Sequence, residues 1–133
     1  TGVGTLALSQ YGPVTHVDAS KKSVAQAREN AALSGMADRT VRWLVDDAAK
    51  FAAREVRRER RYDGIILDPP KFGRGPEGEK WTLQEKLNEL IYLASQLLEQ
   101  KNSFFILSMY AGINTGYFIQ FLLRGTHESA LLC

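Results

Sequence analysis

The chain has 133 residues and a mass of 14.9 kDa; 44% of its residues are hydrophobic and 24% are charged, which is typical of one globular domain and excludes a disordered or fibrous protein. The formal net charge of +2 permits a nucleic-acid partner but is too small to indicate one by itself. The only cysteine, Cys133, excludes an intrachain disulfide and a cysteine metal cluster. No apolar run approaches the roughly 18 residues that span a bilayer. We therefore expect a cytoplasmic protein with no metal and no membrane partner.

The first third of the chain predicts a glycine loop, a strand and a helix. Residues 1–4 form a glycine loop that opens a short helix, and the β-rich run at residues 13–18 ends in an acid. Ser20 is a suitable N-cap for a helix over residues 21–33, and Gly35 is placed to end that helix.

The same alternation continues along the chain. A strand at residues 40–45 ends in two acids, a helix follows at 48–60, and an almost wholly apolar strand follows at 62–67, as expected when both faces of a strand are covered. The glycine- and proline-rich stretch at 71–80 predicts a mobile loop. The remaining predicted elements are a helix at 83–99, a strand at 103–109 and an amphipathic helix at 117–123.

Strands that alternate with helices predict an α/β fold: a Rossmann-like, doubly wound, mainly parallel sheet with helices on both faces. A glycine loop that opens a helix should follow a strand, and no strand precedes Thr1. We therefore expect residues 1–133 to be a fragment that lacks its first, central strand and is at best marginally stable alone. Because ligands bind at the carboxyl ends of such strands, the informative residues are those that follow each strand.

Two acids that end strands predict a nucleoside site. Asp18 can accept hydrogen bonds from both hydroxyls of a ribose; the alternative, capping the next helix, is less needed because Ser20 is available. Asp46 and Asp47 both follow the next strand, and one of them is expected only to cap the following helix. We favour Asp47 as the acceptor for an adenine amino group, while the Ala48 N–H reaches a ring nitrogen. The Gly2-x-Gly4 pattern matches a dinucleotide fingerprint only weakly, because a tight turn explains it equally well.

The sharpest motif follows the strand at 62–67 and reads Asp68-Pro69-Pro70-Lys71-Phe72. A carboxylate before two prolines makes a rigid loop with outward-facing carbonyls, which can accept hydrogen bonds from a base or an amine. The Phe72 ring is suited to stacking on a base, and the cations of the next loop, Lys71, Arg74 and Lys80, are suited to substrate phosphates. The arginines at positions 54, 57, 58, 60 and 61 are more simply interpreted as a solvated helix end.

Taken in order, residues 1–4, 16–20, 46–48 and 62–72 resemble the motifs of class I S-adenosylmethionine-dependent methyltransferases. More closely, Asp-Pro-Pro-Lys-Phe followed by Gly-Arg-Gly-Pro resembles the family that includes the large-subunit ribosomal RNA methyltransferases I and K, and the likeness covers about residues 1–110.

This resemblance implies a domain that binds S-adenosylmethionine and methylates a base in RNA, most simply ribosomal RNA. The cofactor-binding residues that it implies are Thr1, Gly2, Val3 and Gly4 near the methionine moiety, Asp18, Ala19 and Ser20 at the ribose, Asp47 and Ala48 at the adenine, and Asp68. The implied catalytic residues are Asp68, Pro69 and Phe72, and the implied substrate-binding residues are Lys71, Phe72 and Arg74.

The chain departs from related patterns in two ways. In methyltransferases that act on amino groups, the aromatic residue directly follows the two prolines, whereas Lys71 intervenes here. The other departure concerns a cysteine. Members that methylate C5 of cytosine use a cysteine after the fourth visible strand, where this chain has Ser108-Met109-Tyr110. Without a thiolate there is no covalent route to a pyrimidine C5, whereas transfer to a nitrogen needs only positioning and a proton acceptor.

Two other functions stay open from the sequence. An NAD-dependent oxidoreductase could use the same sheet, but Asp18 follows Gly4 by 14 residues, fewer than the roughly 20 typical of that fingerprint. A non-catalytic RNA-binding module would keep the fold without turnover.

Overall fold

The computed structural model describes residues 2–69, 72–74, 77–78, 80–111, 115–122 and 130–132. The helices of this part are α1 (Val3–Leu8), α2 (Lys21–Leu33), α3 (Ala48–Arg57) and α4 (Leu83–Leu97). Its strands are β1 (Val14–Asp18), β2 (Val41–Val45), β3 (Gly64–Leu67), β4 (Phe72–Arg74), β5 (Lys80–Thr82), β6 (Phe104–Ala111), β7 (Thr115–Leu122) and β8 (Ala130–Leu132).

Six strands form one sheet in the order β2-β1-β8-β3-β6-β7, and β4 and β5 form a separate antiparallel pair. Every pairing in the large sheet is parallel except that of β6 with β7. The predicted α/β fold with a mainly parallel sheet is therefore confirmed. The order of the strands places β1 and β2 on one side of β8, and β3 and β6 on the other.

Helices cover both faces of this sheet, as predicted. Neighbouring residues of a strand point to opposite faces. On β1, His16 bonds to Thr5 of α1, whereas Val17 belongs to the core cluster formed with α3 and α4. α2 lies on the same face as α1, because a Cβ on Gly2 would stand 2.9 Å from the Cβ of Ala27.

Local signals explain why α2 has the bounds that the sequence predicts. The Ser20 hydroxyl accepts a hydrogen bond from the Ser23 N–H at 3.2 Å, which satisfies one of the free amides of the first turn. After the C-cap, Gly35 takes a φ of +71°, a left-handed conformation that favours glycine. The predicted cap and stop are therefore both confirmed.

The main core lies between α3, α4 and the sheet. Its most buried large side chains include Phe51 of α3, Ile65 of β3 and Leu97 of α4. The same region holds a buried polar pair, because Glu55 is 2% exposed and accepts a hydrogen bond from the Tyr62 hydroxyl at 2.6 Å. Burial, followed by this hydrogen bond, raises the pKa of Tyr62, which therefore stays a neutral donor.

Two predicted elements are wrong. The stretch predicted as a mobile loop, residues 71–80, contains β4 and the first residue of β5, and these strands pair from Phe72 with Thr82 to Arg74 with Lys80. The stretch predicted as an amphipathic helix is β7, which pairs with β6 over eight residue pairs from Phe104–Leu122 to Ala111–Thr115. In both cases, pairing with the neighbouring strand of the chain overrides the local pattern of the segment.

The position between β1 and β3, where the sequence predicts a missing strand, is occupied by β8. This strand pairs with β1 at Val14–His16 and with β3 at Gly64–Ile66, three residues on each side. Marginal stability of the chain alone stays a prediction.

Candidate functional site

The carboxyl ends of three parallel strands form the edge at which the candidate site lies. β1 ends at Asp18, β2 at Val45 and β3 at Leu67. The first two ends are joined directly, because the Asp46 N–H donates to the Asp18 carbonyl at 3.1 Å. The structure therefore brings the predicted ribose and adenine residues together at one corner, which we call the nucleoside corner (Asp18–Ser20 and Asp46–Ala48).

Asp18 is held in place by the turn that follows it. Its Oδ1 accepts a hydrogen bond from the Ser20 N–H at 2.7 Å, and the side chain is half-buried. Ser20 itself caps α2, so the first turn of this helix does not need Asp18. Asp18 can therefore offer its Oδ2 oxygen to a ligand without uncapping a helix.

Asp46 and Asp47 have different partners. Asp47 is the N-cap of α3: its Oδ1 accepts from the Lys50 N–H at 2.9 Å, and the residue is 9% exposed. Asp46 accepts the Asp47 N–H at Oδ1, also at 2.9 Å, and its Oδ2 forms an ion pair with Arg54. The capping alternative for Asp47 is thus confirmed for one of its oxygens, and the predicted contact with adenine would have to use the other.

Sequence reasoning missed Arg54 as a residue of this corner, because it grouped Arg54 with the solvated arginines. Arg54 follows Asp46 by eight residues, which is two turns of α3 beyond the strand end. The sequence did contain a signal for this ion pair, because an acid lies just before the helix and a cation lies two turns into it.

The glycine loop leads into α1, and Gly2 is the N-cap residue of this helix. Gly2 has a φ of +81° and packs against Ala27 of α2, while Val3 is 75% exposed. Thr5, fully buried, ties this helix to β1 through a hydrogen bond of 2.7 Å between its hydroxyl and His16 Nδ1. Thr1 lies outside the described residues.

His16 is packed against its neighbours rather than open to a substrate. It is 7% exposed and lies 5.1 Å from the Trp43 ring, and its Nε2 has no partner within the described part of the chain. Burial lowers the pKa of His16, although the nearby Asp18 carboxylate opposes this shift. The ring is therefore held neutral beside the nucleoside corner.

Asp68 and Pro69 follow β3 on the far side of β8 from Asp18. Asp68 is exposed and Pro69 is half-buried. Phe72 begins β4, and Arg74 ends it directly opposite Lys80, where the Arg74 guanidinium donates to the Gly78 carbonyl at 3.2 Å. Pro70 and Lys71 lie outside the described residues, and the predicted roles of Asp68 to Arg74 stay predictions.

The segment Ser108-Met109-Tyr110 does not follow a strand, contrary to the prediction. β6 continues to Ala111, so these residues lie within the strand and pair with β7. In the ranges that the structure describes, no three metal-ligand side chains of His, Cys, Asp or Glu cluster together. The helices of the same ranges include none with the length and apolar character needed to cross a membrane.

A mainly parallel sheet with acids at the ends of adjacent strands defines a Rossmann-like, nucleoside-binding class of fold. No family model matches the sequence. A solved S-adenosylmethionine-dependent methyltransferase from Agrobacterium tumefaciens is 42% identical, with a TM-score of 0.80 over 86% of this chain and 37% of that one. A second solved chain, SMU.776, classed as a methyltransferase and complexed with SAH, is 26% identical, with a TM-score of 0.62 over 72% of this chain and 24% of that one.

A curated relative is also a methyltransferase. The ribosomal RNA large subunit methyltransferase I of Alteromonas mediterranea is 34% identical over 59 residues, which are 44% of this chain and 15% of that protein. The chain thus spans well under half the length of these relatives. It has the fold of class I S-adenosylmethionine-dependent methyltransferases, and the family resemblance drawn from the sequence is confirmed.

Proposed function

We propose that this domain binds S-adenosylmethionine at the nucleoside corner and transfers its methyl group to a base in ribosomal RNA. The observation that carries the proposal is the direct hydrogen bond between the Asp46 N–H and the Asp18 carbonyl, which brings Asp18, suited to a ribose, beside the turn that holds Asp47, suited to an adenine. The likeness to S-adenosylmethionine-dependent methyltransferases supports the same cofactor, and the shorter match to a ribosomal RNA methyltransferase supports the substrate.

The residues of the corner fit this cofactor. Asp18 and Asp47 each use only Oδ1 in the described hydrogen bonds, so each has a second oxygen for a hydroxyl or amino group. Val45 lies beside Asp18 in the β1–β2 register and is 45% exposed, which offers an apolar surface to a purine ring. We assign the ribose to Asp18, with Ala19 and Ser20, and the adenine to Asp47 and the Ala48 N–H.

The glycine loop and the end of β3 complete the proposed site. Gly2, Val3 and Gly4, with Thr1 outside the described residues, would border the methionine moiety. Bound S-adenosylmethionine supplies a methyl group activated by a positively charged sulfur. Asp68 and the Pro69 carbonyl would orient the acceptor base, because the carboxylate is exposed at the strand end and both groups accept hydrogen bonds.

The substrate side of the proposal uses the β4–β5 hairpin. Phe72 would stack on a base, and Arg74, with Lys71 outside the described residues, would contact phosphates. Arg74 and Lys80 face each other across the hairpin, an arrangement of like charges that an anion between them would stabilise. A cytoplasmic location stays a prediction from the single cysteine.

The cofactor is tested by thermal unfolding of the intact protein with ligands. At a concentration of S-adenosylhomocysteine of 100 Kd, binding to the folded state adds about 2.7 kcal/mol, which corresponds to about 10 °C in Tm for a domain of this size. NAD at the same concentration should leave Tm unchanged. Stabilisation by NAD alone would instead indicate the oxidoreductase.

The roles of the acids are separated by substitution. Asp18→Ala should weaken S-adenosylhomocysteine binding at least about tenfold, because a hydrogen bond to a charged group contributes roughly 1.5–3 kcal/mol. Asp68→Ala should leave this affinity nearly intact while methyl transfer falls about 100-fold, the scale of a misplaced acceptor. Asp38→Ala, an exposed acid in the turn after α2, is the matched control and should change neither.

The substrate is tested with methyl-labelled donor and ribosomal RNA from a strain that lacks the gene, followed by mass spectrometry of the nucleosides. We expect label in one modified base. RNA binding without cofactor and without incorporation would support a non-catalytic module instead.

A further inference from the structure

A continuous chain of polar contacts runs from α3 to the nucleoside corner. The Arg54 guanidinium pairs with Asp46 Oδ2, and Asp46 Oδ1 accepts the Asp47 N–H at 2.9 Å. Asp47 then caps α3 through the Lys50 N–H, also at 2.9 Å. Arg54 therefore closes a loop of contacts that begins and ends on the same helix.

Partial burial gives this series of polar contacts a fixed geometry. The Arg54 guanidinium lies 5.9 Å from the centroid of the Phe51 ring, and Phe51 is 1% exposed. The side chains of Arg54 and Asp46 are 36% and 26% exposed, so the ion pair is shielded on one side by the core. A partly shielded pair with a second hydrogen bond holds its geometry better than a freely exposed one.

Arg54 differs in this respect from its neighbours in the arginine cluster. Arg58 pairs with Glu55 within the helix, and Arg61 donates to the Gln96 carbonyl of α4. Arg57 is exposed one turn after Arg54 and pairs with no acid among the described residues. Of this cluster, Arg54 is the arginine whose described ion pair reaches the carboxyl end of a strand.

We propose that Arg54 is a positioning residue that determines the specificity of the site for a 6-aminopurine. By holding Asp46, Arg54 fixes the Asp46–Asp47 turn from which Asp47 and the Ala48 N–H would meet the purine edge. The inference rests on the proposed function, since it needs a purine nucleoside at the corner. Arg54 is not expected to touch the ligand.

The test measures discrimination rather than affinity alone. Titration calorimetry compares S-adenosylhomocysteine with S-inosylhomocysteine, in which an oxygen replaces the 6-amino group and N1 becomes a donor. The native protein should prefer the adenosyl ligand at least about tenfold, because the analogue leaves Asp47 and Ala48 mismatched. Arg54→Gln should lower affinity for the adenosyl ligand about fivefold to tenfold and leave the inosyl ligand within about twofold.

The chain offers a matched control and a second variant. Arg57→Gln makes the same change in charge one turn further along α3 and should leave both affinities unchanged. Asp46→Asn breaks the ion pair from its other end while keeping an oxygen for the Asp47 N–H, and it should reproduce the loss of discrimination. It also carries the test if Arg54→Gln does not fold, as judged by circular dichroism.

The outcomes distinguish failure of this inference from failure of the proposed function on which it rests. Equal losses for the two ligands, or no loss in either variant, would show that Arg54 supports the fold only and would overturn the inference. Failure of the native protein to bind S-adenosylhomocysteine would overturn the proposed function itself. Binding without discrimination in the native protein would reject the adenine role of Asp47.

Discussion

The glycine at the start of α1 allows a sharp test of the site geometry. Gly2 has a left-handed backbone, and an added Cβ would stand 2.9 Å from the Cβ of Ala27 and 3.4 Å from its Cα. Gly35 has a similar φ of +71° but has nothing within 4 Å of such a Cβ. Gly35→Ala therefore measures the cost of the backbone conformation alone, and Gly2→Ala measures this cost together with a steric clash.

The two contributions can be given magnitudes. A left-handed conformation costs an alanine about 1 kcal/mol relative to glycine. Inserting a methyl group into a filled contact adds about 1–3 kcal/mol. We expect Gly35→Ala to lower the free energy of unfolding by about 1 kcal/mol and Gly2→Ala to lower it by about 3 kcal/mol.

Urea unfolding of the intact protein measures these values, and ligand titration measures the effect on the site. Gly2→Ala should also weaken S-adenosylhomocysteine binding, because the loop must move away from α2, whereas Gly35→Ala should not. Removing the opposing methyl group in the double variant Gly2→Ala/Ala27→Gly should recover part of the loss. Equal destabilisation by Gly2→Ala and Gly35→Ala would refute the steric reasoning.

Three further changes test the core and the sheet. Tyr62→Phe removes the donor to the buried Glu55 carboxylate and should cost about 2 kcal/mol in urea unfolding, and a loss below about 0.5 kcal/mol would contradict this. Folding lowers the pKa of His16 from 6.5, so below this pH the unfolded chain binds a proton that the folded chain does not. The free energy of unfolding should therefore fall as the pH drops below about 6.5. This pH dependence should become weaker in His16→Asn. Gly64→Ala should destabilise the sheet, because its Cβ would stand 2.0 Å from the Phe104 ring, and Phe104→Leu in the same chain should relieve part of the loss if that contact is the cause.

The elements that the sequence predicts well are those whose signals are local. α2 has the predicted bounds because Ser20 and Gly35 act on the helix ends directly, whatever the rest of the chain does. The acids of the nucleoside corner are also predictable, because parallel strands bring their carboxyl ends to one edge of a sheet.

The elements that the sequence mispredicts depend on a partner outside the segment itself, even where that partner is the neighbouring strand. β7 is a strand because it pairs with β6, and its aromatic and β-branched residues fit a sheet as well as an amphipathic helix. The Arg54–Asp46 pair is missed for a related reason: a run of arginines gives no indication of which guanidinium finds an acid. The proline- and glycine-rich composition of residues 71–80 likewise conceals the β4–β5 pairing.

The packing of α3 against α4 affects how the two sides of the sheet are held together. The residues proposed to hold the nucleoside of the methyl donor follow β1 and β2 on one side of β8, and those proposed to hold the acceptor follow β3 on the other side. Among the described residues, backbone pairing joins each half to β8 over three residues, while α3 and α4 pack together in one continuous core. We therefore expect side-chain packing beneath α3 and α4 to set the distance between the methyl donor and the acceptor atom. A cavity introduced into this core should lengthen that distance.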